Sequence, residues 1–377
     1  MIKGFKNVTA FIDGEFKETS IKIEDGKIVD FSYNDDFLTL PDDAIVLPGF
    51  IDEHVHGVLN SDAMDANINA FETISTQLAK EGTTAFLITT MTASKDDISN
   101  SLITVKECAK NGLSGAEVLG IHLEGPFINT AKAGAQPKEY IATLDEEVIK
   151  NYVDLSDGLI RLITVAPEMP NADKFIKTCL ENGITVSAGH TSATYQEFLN
   201  AVDNGVSCTT HTFNAMSAFS HREIGVAGAS MLEDRVYNEV IADGVHVSIP
   251  AIKLLAKTKK DKLILVTDSM RAKNIGDGES ELGGQKVYVK NGEARLIDGT
   301  LAGSILKLSD AFKNVIVKVG LTLAEAVKAT SENPAKNLKV FDNYGSISVG
   351  KRANFTVINR ELDVIMTVVG GKIVYER

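Results

Sequence analysis

Short apolar runs alternate with longer amphipathic segments through the middle of the chain, from about Phe50 to Asn337. Eight of these runs are rich in Val, Ile, Leu and Thr and have the length of a buried strand. They are, in order, FIDEHVH, TAFLITTMT, EVLGIHLE, LIRLITVAPE, ITVSAGHT, SCTTHTFN, NEVIADG and KLILVTDS. Helical patterns such as INAFETISTQLAKEG, ADKFIKTCLENG and TYQEFLNAVDNG lie between several of them, and each ends in a glycine that suits a helix C-cap. Eight strand–helix units predict an α/β fold, a (β/α)8 TIM-type barrel with catalytic groups at the C-terminal ends of its strands.

The two ends of the chain have a different pattern, in which short alternating runs are separated by turn residues. VTAFIDGEF and SIKIEDGKIVDF near the start contain Asp-Gly pairs, which are typical of tight hairpins. GSISVGKRANFTVINREL and VIMTVVGGKIVYER near the end are similar. We therefore expect a small β-sandwich domain built from the two terminal segments, residues 1–48 and 345–377, and a barrel formed by residues 49–344.

The composition is that of an ordinary globular protein, with 44% hydrophobic and 24% charged residues. A formal net charge of −13 argues against nucleic-acid binding, which requires a basic surface. The three cysteines include no CxxC pair and are expected to be reduced thiols. Lys3 and Lys6 precede no apolar segment of the kind found in signal peptides, and no run approaches the ~20 residues of a membrane span. These features predict a cytoplasmic protein that binds neither nucleic acid nor membranes.

Five of the seven histidines lie at or just after the ends of strand-like runs. His54 and His56 form an HxH pair, and their imidazoles should point together because alternate residues of a strand face the same side. His190 and His211 each follow a buried run, at the ends of the fifth and sixth predicted strands, and His246 follows NEVIADG. Taken alone, each histidine could equally be a buried, hydrogen-bonded core residue. Their shared placement indicates a metal site.

Two carboxylates have the same placement, Glu124 at the end of EVLGIHLE and Asp268 near the end of KLILVTDS. A buried, ionised carboxylate needs a partner of opposite charge. For Glu124 that partner is a divalent cation or the other half of an ion pair, and Asp268 could instead cap a turn or a helix. With the histidines, these groups are enough for two cations that share a bridging ligand. Imidazole and carboxylate donors favour Zn, Fe, Ni or Mn over Ca.

Several motifs together resemble the amidohydrolase superfamily. The matching segments are PGFIDEHVHG, HLEGPF, SAGHT, THTFNAM, VTDSM, and SENPAKNL followed by GSISVGKRANFTV, which span nearly the whole chain. Within the superfamily, the chain is similar to the enzymes that remove the acetyl group from phosphorylated amino sugars. The resemblance implies hydrolysis of an acetamide by water that a metal site activates.

The resemblance also implies a role for each matching residue. Glu124, His190 and His211 are the expected ligands of the metal found throughout the family. His54 and His56 are the expected ligands of a second metal, which some members lack. Asp268 is the expected catalytic acid–base and also belongs to the metal site. The expected substrate contacts are Ala135, Asn214, Ala215, Arg222, His246, Leu301, Ala302, Gly303 and Ser304.

The expected cofactors and partners follow from the same resemblance. We expect two divalent ions per subunit, with Zn or Fe ahead of Mn, Co or Ni. Gln136 supports the second ion, because single-metal members often have a histidine there. The expected substrate is a small phosphorylated amino sugar, whose phosphate Arg222 would hold as a bidentate fork. Because the family often forms dimers, a homodimer is also expected.

Two rival activities of the superfamily fit the sequence less well. Dihydroorotase-like and hydantoinase-like enzymes bridge their metals with a carboxylated lysine on strand four, but LIRLITVAPE contains no lysine. Purine-type deaminases have an HxxE motif after strand five, whereas His190 is followed by Thr-Ser-Ala. An amidohydrolase acting on a cyclic amide or another N-acyl compound stays open as an alternative. A catalytically inactive barrel that serves as a binding protein is another, although such proteins usually lose metal ligands.

Overall fold

Strands and helices alternate through residues 1–377, all of which are described by the structure, a computed structural model. The strands are β1 (Gly4–Ile12), β2 (Glu15–Glu24), β3 (Lys27–Asp30), β4 (Ile45–Pro48), β5 (Phe50–Val55), β6 (Gly57–Val58), β7 (Ser61–Asp62), β8 (Thr83–Thr90), β9 (Glu117–Glu124), β10 (Ile160–Val165), β11 (Thr185–Ala188), β12 (Val206–Thr209), β13 (Tyr237–Ile241), β14 (Leu263–Val266), β15 (Gly278–Leu282), β16 (Gln285–Lys290), β17 (Glu293–Leu296), β18 (Phe355–Ile358), β19 (Val364–Val369) and β20 (Lys372–Glu376). The α-helices are α1 (Ile68–Ala79), α2 (Lys95–Asn111), α3 (Glu146–Leu155), α4 (Ala172–Glu181), α5 (Tyr195–Asp203), α6 (Gly225–Leu232), α7 (Ile249–Thr258), α8 (Leu308–Asn314), α9 (Leu323–Val327) and α10 (Asn333–Asn337). Short 3-10 turns span Ala63–Asp65, Thr130–Lys132 and Lys138–Tyr140, and π turns span Val315–Val319 and Lys328–Glu332.

Eight parallel strands, β5 and β8 to β14, form a sheet whose spatial order follows the chain. Two backbone hydrogen bonds close it into a barrel, from the Asp268 amide to the His54 carbonyl and from the His56 amide to the Ser269 carbonyl, both at 2.9 Å. The eight apolar runs identified in the sequence are these eight strands, so the barrel prediction is confirmed. Parallel strands bring all their carboxyl ends to one rim of the barrel.

Helices such as α1 pack against the barrel through one apolar face. In α1, the buried side chains Phe71, Ile74 and Leu78 recur every three or four residues and point to the barrel wall. Burying a side chain of this size contributes about 1.5–3 kcal/mol. Asn67 caps the helix by accepting a hydrogen bond from the Ala70 amide. All three helices predicted from periodicity are present, as α1, α4 and α5.

The terminal segments form one seven-stranded sheet, in the order β20-β19-β18-β4-β1-β2-β3. Asp13-Gly14 and Asp25-Gly26 make the tight turns of its N-terminal half, and all four residues have positive φ as such turns require. The sheet folds over its own core, where the rings of Phe5 and Phe355 lie 5.5 Å apart. The predicted small β domain is therefore present, as a single folded sheet rather than two separate ones.

A three-stranded antiparallel sheet, β15 to β17, follows the last barrel strand and was not predicted. Its turns are Gly283-Gly284 and Asn291-Gly292, again with positive φ. The Gln285 side chain donates a hydrogen bond to the Ala135 carbonyl at 2.6 Å, which ties this sheet to the loop after β9. The sheet therefore forms part of the wall above the strand ends.

The opposite end of the barrel is closed by α10. Ala335 and Leu338 pack in an apolar cluster with barrel residues such as Leu87. The Asn337 amide donates to Glu53 at 2.8 Å, and the Asn337 carbonyl accepts from the Thr185 hydroxyl at 2.7 Å. A ligand therefore has access only from the rim with the strand carboxyl ends. None of the helices combines the length and the apolar composition that crossing a bilayer requires.

Candidate metal centre

The six predicted metal ligands all lie at the carboxyl rim of the barrel. They are His54 in β5, His56 after it, Glu124 at the end of β9, His190 after β11, His211 after β12 and Asp268 after β14. The last three have left-handed backbones, with φ of 46°, 32° and 48°. Such conformations are uncommon for residues other than glycine and often mark functional sites.

Glu124, His190 and His211 form one compact group. Glu124 Oε1 lies 3.2 Å from His190 Nε2 and 3.1 Å from His211 Nε2. The two imidazole nitrogens are themselves 3.2 Å apart. All three side chains are almost fully buried. Three donor atoms at these separations are close enough to surround one cation.

A second group shares Glu124 and adds the HxH pair. His56 Nε2 lies 3.1 Å from Glu124 Oε2 and 3.2 Å from Asp268 Oδ1. His54 Nε2 is 3.5 Å from both Glu124 Oε1 and Asp268 Oδ1. Donor atoms of His54, His56 and Glu124 lie within 4.8 Å of one another. Glu124 is therefore placed to bridge the two groups.

The outer nitrogens of three histidines face hydrogen-bond acceptors. Nδ1 of His54 lies 3.1 Å from Glu239 Oε2, that of His56 lies 3.1 Å from the Thr89 carbonyl, and that of His190 lies 2.8 Å from the Lys132 carbonyl. An Nδ1–H donating outwards leaves the Nε2 lone pair pointing into the cluster.

Lone pairs converging on carboxylate oxygens repel one another unless a cation lies between them. The His54 Nε2 atom is buried without a hydrogen-bond partner. The tautomers, the orphaned nitrogen and the mixed imidazole–carboxylate donor set therefore fit divalent transition-metal binding.

Burial and charge act in opposite directions in the cluster. Burial opposes protonation of His56, but hydrogen bonds with Asp268 and Glu124 outweigh it and raise the pKa of His56 to about 9. Burial likewise opposes ionisation of Glu124, but the neighbouring charge of His54 holds the pKa of Glu124 well below its usual value. Positive charge among the imidazoles, from protons or from metal ions, thus keeps Glu124 ionised.

Gln136 contacts the cluster directly. Its amide nitrogen donates to Glu124 Oε2 at 2.8 Å, and its amide oxygen accepts from the Thr92 backbone N–H at 2.7 Å. The second bond determines which end of the amide faces Glu124. The sequence marked Gln136 only as a departure from single-metal relatives. Its contact with the carboxylate depends on the path of the loop after β9, which no local motif reveals.

His122 lies below the cluster. Its ring packs edge-on against His54 at a centroid distance of 4.5 Å, and its Nε2 is 2.8 Å from the Thr164 hydroxyl. Burial lowers the pKa of His122 well below its usual value, so the ring is neutral. These contacts place His122 beside the ligand His54, with its Nε2 bonded away from the cluster.

A pocket of about 310 Å³ opens above the cluster. Its lining includes these predicted substrate contacts: Ala135, Asn214, Ala215, His246, Leu301 and Gly303. Ala302 and Ser304 are buried behind the lining, where the Ser304 amide donates to the Asp268 carbonyl at 2.7 Å. Arg222 is exposed in the loop between β12 and α6 and lies outside the lining.

His246 is held in one orientation by an acidic residue that sequence reasoning did not single out. Asp243 Oδ2 is 2.6 Å from His246 Nδ1, and Asp243 Oδ1 accepts from the His246 backbone N–H at 2.8 Å. The Nε2 side of the ring is left for a ligand in the pocket. The spacing DGVH contains this pair, but only the turn after β13 brings the two side chains together.

A family model described as the amidohydrolase family matches residues 45–374, and the chain belongs to this family of metal-dependent hydrolases. Among curated relatives, the N-acetylglucosamine-6-phosphate deacetylase of Bacillus subtilis (strain 168) is 41% identical over 98% of this chain and 96% of its own. The N-acetylgalactosamine-6-phosphate deacetylase of Escherichia coli O157:H7 is 32% identical over 96% of each chain. A similar solved structure is an aspartate-to-alanine mutant of the Mycobacterium smegmatis N-acetyl-D-glucosamine-6-phosphate deacetylase in complex with N-acetyl-D-glucosamine-6-phosphate. It has a TM-score of 0.93 at 28% identity and covers 99% of both chains.

Proposed function

We propose that this chain hydrolyses the acetamide of N-acetylglucosamine 6-phosphate to glucosamine 6-phosphate and acetate. The observation that carries the proposal is the convergence of four imidazoles and two carboxylates at the base of one pocket, where all but the fully buried His54 belong to the lining. The relative from Bacillus subtilis, similar along nearly its whole length, supports the choice of substrate. The pocket volume lies at the small end of the range for ligand sites, which suits a monosaccharide.

The donor arrangement supports two cations that share Glu124. In this assignment His190 and His211 hold one ion, and His54 and His56 hold the other. Zinc and iron are the metals that we favour for such a donor set, with Mn, Co and Ni after them. Divalent cations bound there lower the pKa of water toward neutrality and polarise a carbonyl oxygen.

Asp268 is the proposed acid–base. Its carboxylate lines the pocket, and its Oδ1 lies 3.2 Å from His56 Nε2. In this position Asp268 accepts the proton of the attacking water and then delivers it to the sugar nitrogen, because an amine leaves only after protonation. Burial acts to raise the pKa of Asp268, but the charges of His54 and His56 hold that pKa below its usual value, so the carboxylate is ionised and has a lone pair free to accept a proton.

The sugar phosphate needs positive charge in a protein whose net charge is −13. Lys132 is the only lysine or arginine in the pocket lining, and His246 is the nearest other candidate. We retain Arg222 as a proposed phosphate ligand. Because Arg222 is exposed and lies outside the pocket lining of its own chain, this proposal fits a homodimer in which Arg222 reaches the pocket of the other subunit.

The first experiment measures acetate release from N-acetylglucosamine 6-phosphate by protein loaded with Zn, Fe, Mn or Co, with and without chelator. An Asp268→Asn protein should retain its metal and lose about 10²–10⁴ in kcat. Near-normal turnover with metal bound would end the assignment of Asp268. Wild-type protein that carries metal but releases no acetate would refute the proposed reaction.

Two alternative substrates are separated by the same assay. N-acetylgalactosamine 6-phosphate differs only in configuration at C4, and the relative from Escherichia coli O157:H7 makes it the second candidate. An N-acyl compound or cyclic amide without phosphate is the third. Arg222→Ala should impair use of the phosphorylated sugar far more than use of free N-acetylglucosamine. Equal impairment of both would argue against a phosphate contact.

A further inference from the structure

Glu239 is a fully buried acidic residue in the middle of β13, and the proposed reaction gives it no role. Its side chain lies inside the barrel, directly below the metal centre. Burying a carboxylate is costly unless partners satisfy it. Identifying those partners therefore shows what this carboxylate can do.

Glu239 contacts one ligand from each half of the cluster through a single oxygen. Oε2 lies 3.1 Å from His54 Nδ1 and accepts a hydrogen bond from the His211 backbone N–H, also at 3.1 Å. The Glu239 backbone carbonyl also accepts from the Thr212 amide at 2.8 Å. The residue thus holds the His54 ring and the turn after β12 that carries His211.

His54 differs from the other ligands in the charge of its partner. His56 and His190 donate to neutral backbone carbonyls, those of Thr89 and Lys132. Only His54 faces a carboxylate with its outer nitrogen. A carboxylate fixes the Nδ1–H tautomer more firmly than a carbonyl and makes the opposite nitrogen a stronger metal donor. That opposite nitrogen, Nε2, is buried and has no hydrogen-bond partner, whereas in His211 it is the outer nitrogen, Nδ1, that lacks one.

We propose that Glu239 is the positioning residue that sets the affinity for the cation held by His54 and His56. Through its bond to His54 it decides whether the protein keeps the second ion or only the ion held by His190 and His211. The inference rests on the two-cation assignment in the proposed function. It does not depend on which compound the enzyme hydrolyses.

Equilibrium dialysis against buffered Zn, with metal content measured by mass spectrometry, tests the proposal. The wild-type protein should bind two ions per chain. Glu239→Gln keeps the shape of the side chain and one acceptor oxygen but removes the charge. It should weaken binding of the ion held by His54 and His56 by about 10- to 100-fold. Glu81→Gln is the matched control, because Glu81 is another buried glutamate but contacts no ligand ring. Its carboxylate accepts hydrogen bonds from Lys273 Nζ at 2.7 Å and from the Leu308 amide at 3.2 Å instead.

A double-mutant cycle separates action through His54 from a general effect on the fold. If Glu239 acts through that ring, Glu239→Gln should not weaken Zn binding further in a His54→Ala protein. The proposal is overturned if Glu239→Gln binds both ions as the wild type does, if Glu81→Gln loses as much affinity, or if the double variant binds more weakly than His54→Ala.

The same measurements distinguish a role of Glu239 in folding, and a failure of the proposed reaction, from a failure of this proposal. A Glu239→Gln protein that unfolds even in saturating Zn assigns the residue to folding and overturns the proposal, whereas one that folds only when Zn is added supports it. Wild-type protein that binds one ion at saturation also overturns it. If the wild type binds two ions and Glu239→Gln loses one, yet no acetate is released, the proposed function fails while this inference stands.

Discussion

Lys273 and Glu81 form a fully buried ion pair that joins the metal rim to the helical layer. Lys273 Nζ lies 2.7 Å from Glu81 Oε2, with side-chain exposures of 0% and 3%. The Lys273 carbonyl accepts from the Leu59 amide, in the loop after the HxH strand. Glu81 also accepts from the Leu308 amide at the start of α8. We predict that Lys273→Met, which keeps most of the volume, destabilises the protein strongly.

The size of the destabilisation follows from the unpaired Glu81 carboxylate that Lys273→Met leaves buried. Removing one partner of a buried ion pair costs about 3–5 kcal/mol. For 377 residues the entropy of unfolding is about 0.8 kcal/mol/K, so the melting temperature should fall by about 4–6 °C. An exposed pair gives the control: Lys150 and Glu147 are 2.8 Å apart, nearly as close as the buried pair, but are 50% and 82% exposed. Lys150→Met should change stability by less than about 1 kcal/mol.

The loss of stability caused by Lys273→Met should also depend on pH. Burial raises the pKa of Glu81, although Lys273 acts to lower it. A carboxyl whose folded-state pKa is raised contributes stability below its unfolded pKa and loses that contribution as pH rises through the folded pKa. Without Lys273 the pKa of Glu81 rises further. The destabilisation by Lys273→Met should therefore be smaller at about pH 5 than at about pH 8.

Thermal unfolding followed by circular dichroism measures these differences. A Lys273→Met/Glu81→Gln double variant should recover much of the lost stability, because it leaves no unpaired charge. The reasoning is refuted if the two single substitutions are additive, or if Lys273→Met melts as the exposed control does.

Perturbations at the metal centre have outcomes that binding and activity measurements can check. Gly189→Ala places a Cβ 2.6 Å from the Thr210 Cβ, so the backbone before His190 must shift. A displacement of about 1 Å lowers kcat about 100-fold, and unchanged kcat would show that the turn can adapt. Gln136→Leu removes a donor to Glu124, and dialysis should find metal affinity about 10- to 100-fold lower, whereas unchanged affinity would make the contact incidental. Removing cations with a chelator should lower the melting temperature, because a ligand present at 100 times its Kd stabilises the folded state by about 2.7 kcal/mol; identical melting curves would contradict a bound cation.

The barrel strands could be predicted from the sequence because parallel strands buried on both faces leave long apolar runs. The same reasoning placed His190, His211 and Asp268 at the ends of strands. The inserted sheet β15 to β17 was missed because its first strand, GESEL, is mostly exposed and has no apolar alternation. Its Asn-Gly and Gly-Gly turns were the available signal, but such pairs predict a hairpin only where a recognisable strand lies on each side.

The partners of the ligands could not be predicted, since they come from distant parts of the chain. Glu239 lies 185 residues from His54, and the Thr89 carbonyl that His56 contacts belongs to a neighbouring strand. In the sequence, Glu239 is one acidic residue inside an apolar run, which local patterns do not distinguish from a residue on the outer face. Only the inward or outward register of β13 decides between these possibilities. Register is a tertiary property that depends on pairing with both neighbouring strands.

The backbone of the metal centre explains how strand ends, which point along the barrel, present donors that converge across it. His190, His211 and Asp268 each lie beyond a strand end, in left-handed conformations that cost about 1–3 kcal/mol per residue. Ordinary extended geometry would keep their side chains alternating along the wall. The left-handed turns redirect them toward the axis, and backbone hydrogen bonds on both sides of Asp268, to His54 and Ser304, hold one such turn in place. The donors are thus held by the closed barrel itself, so cation binding does not have to order a mobile loop.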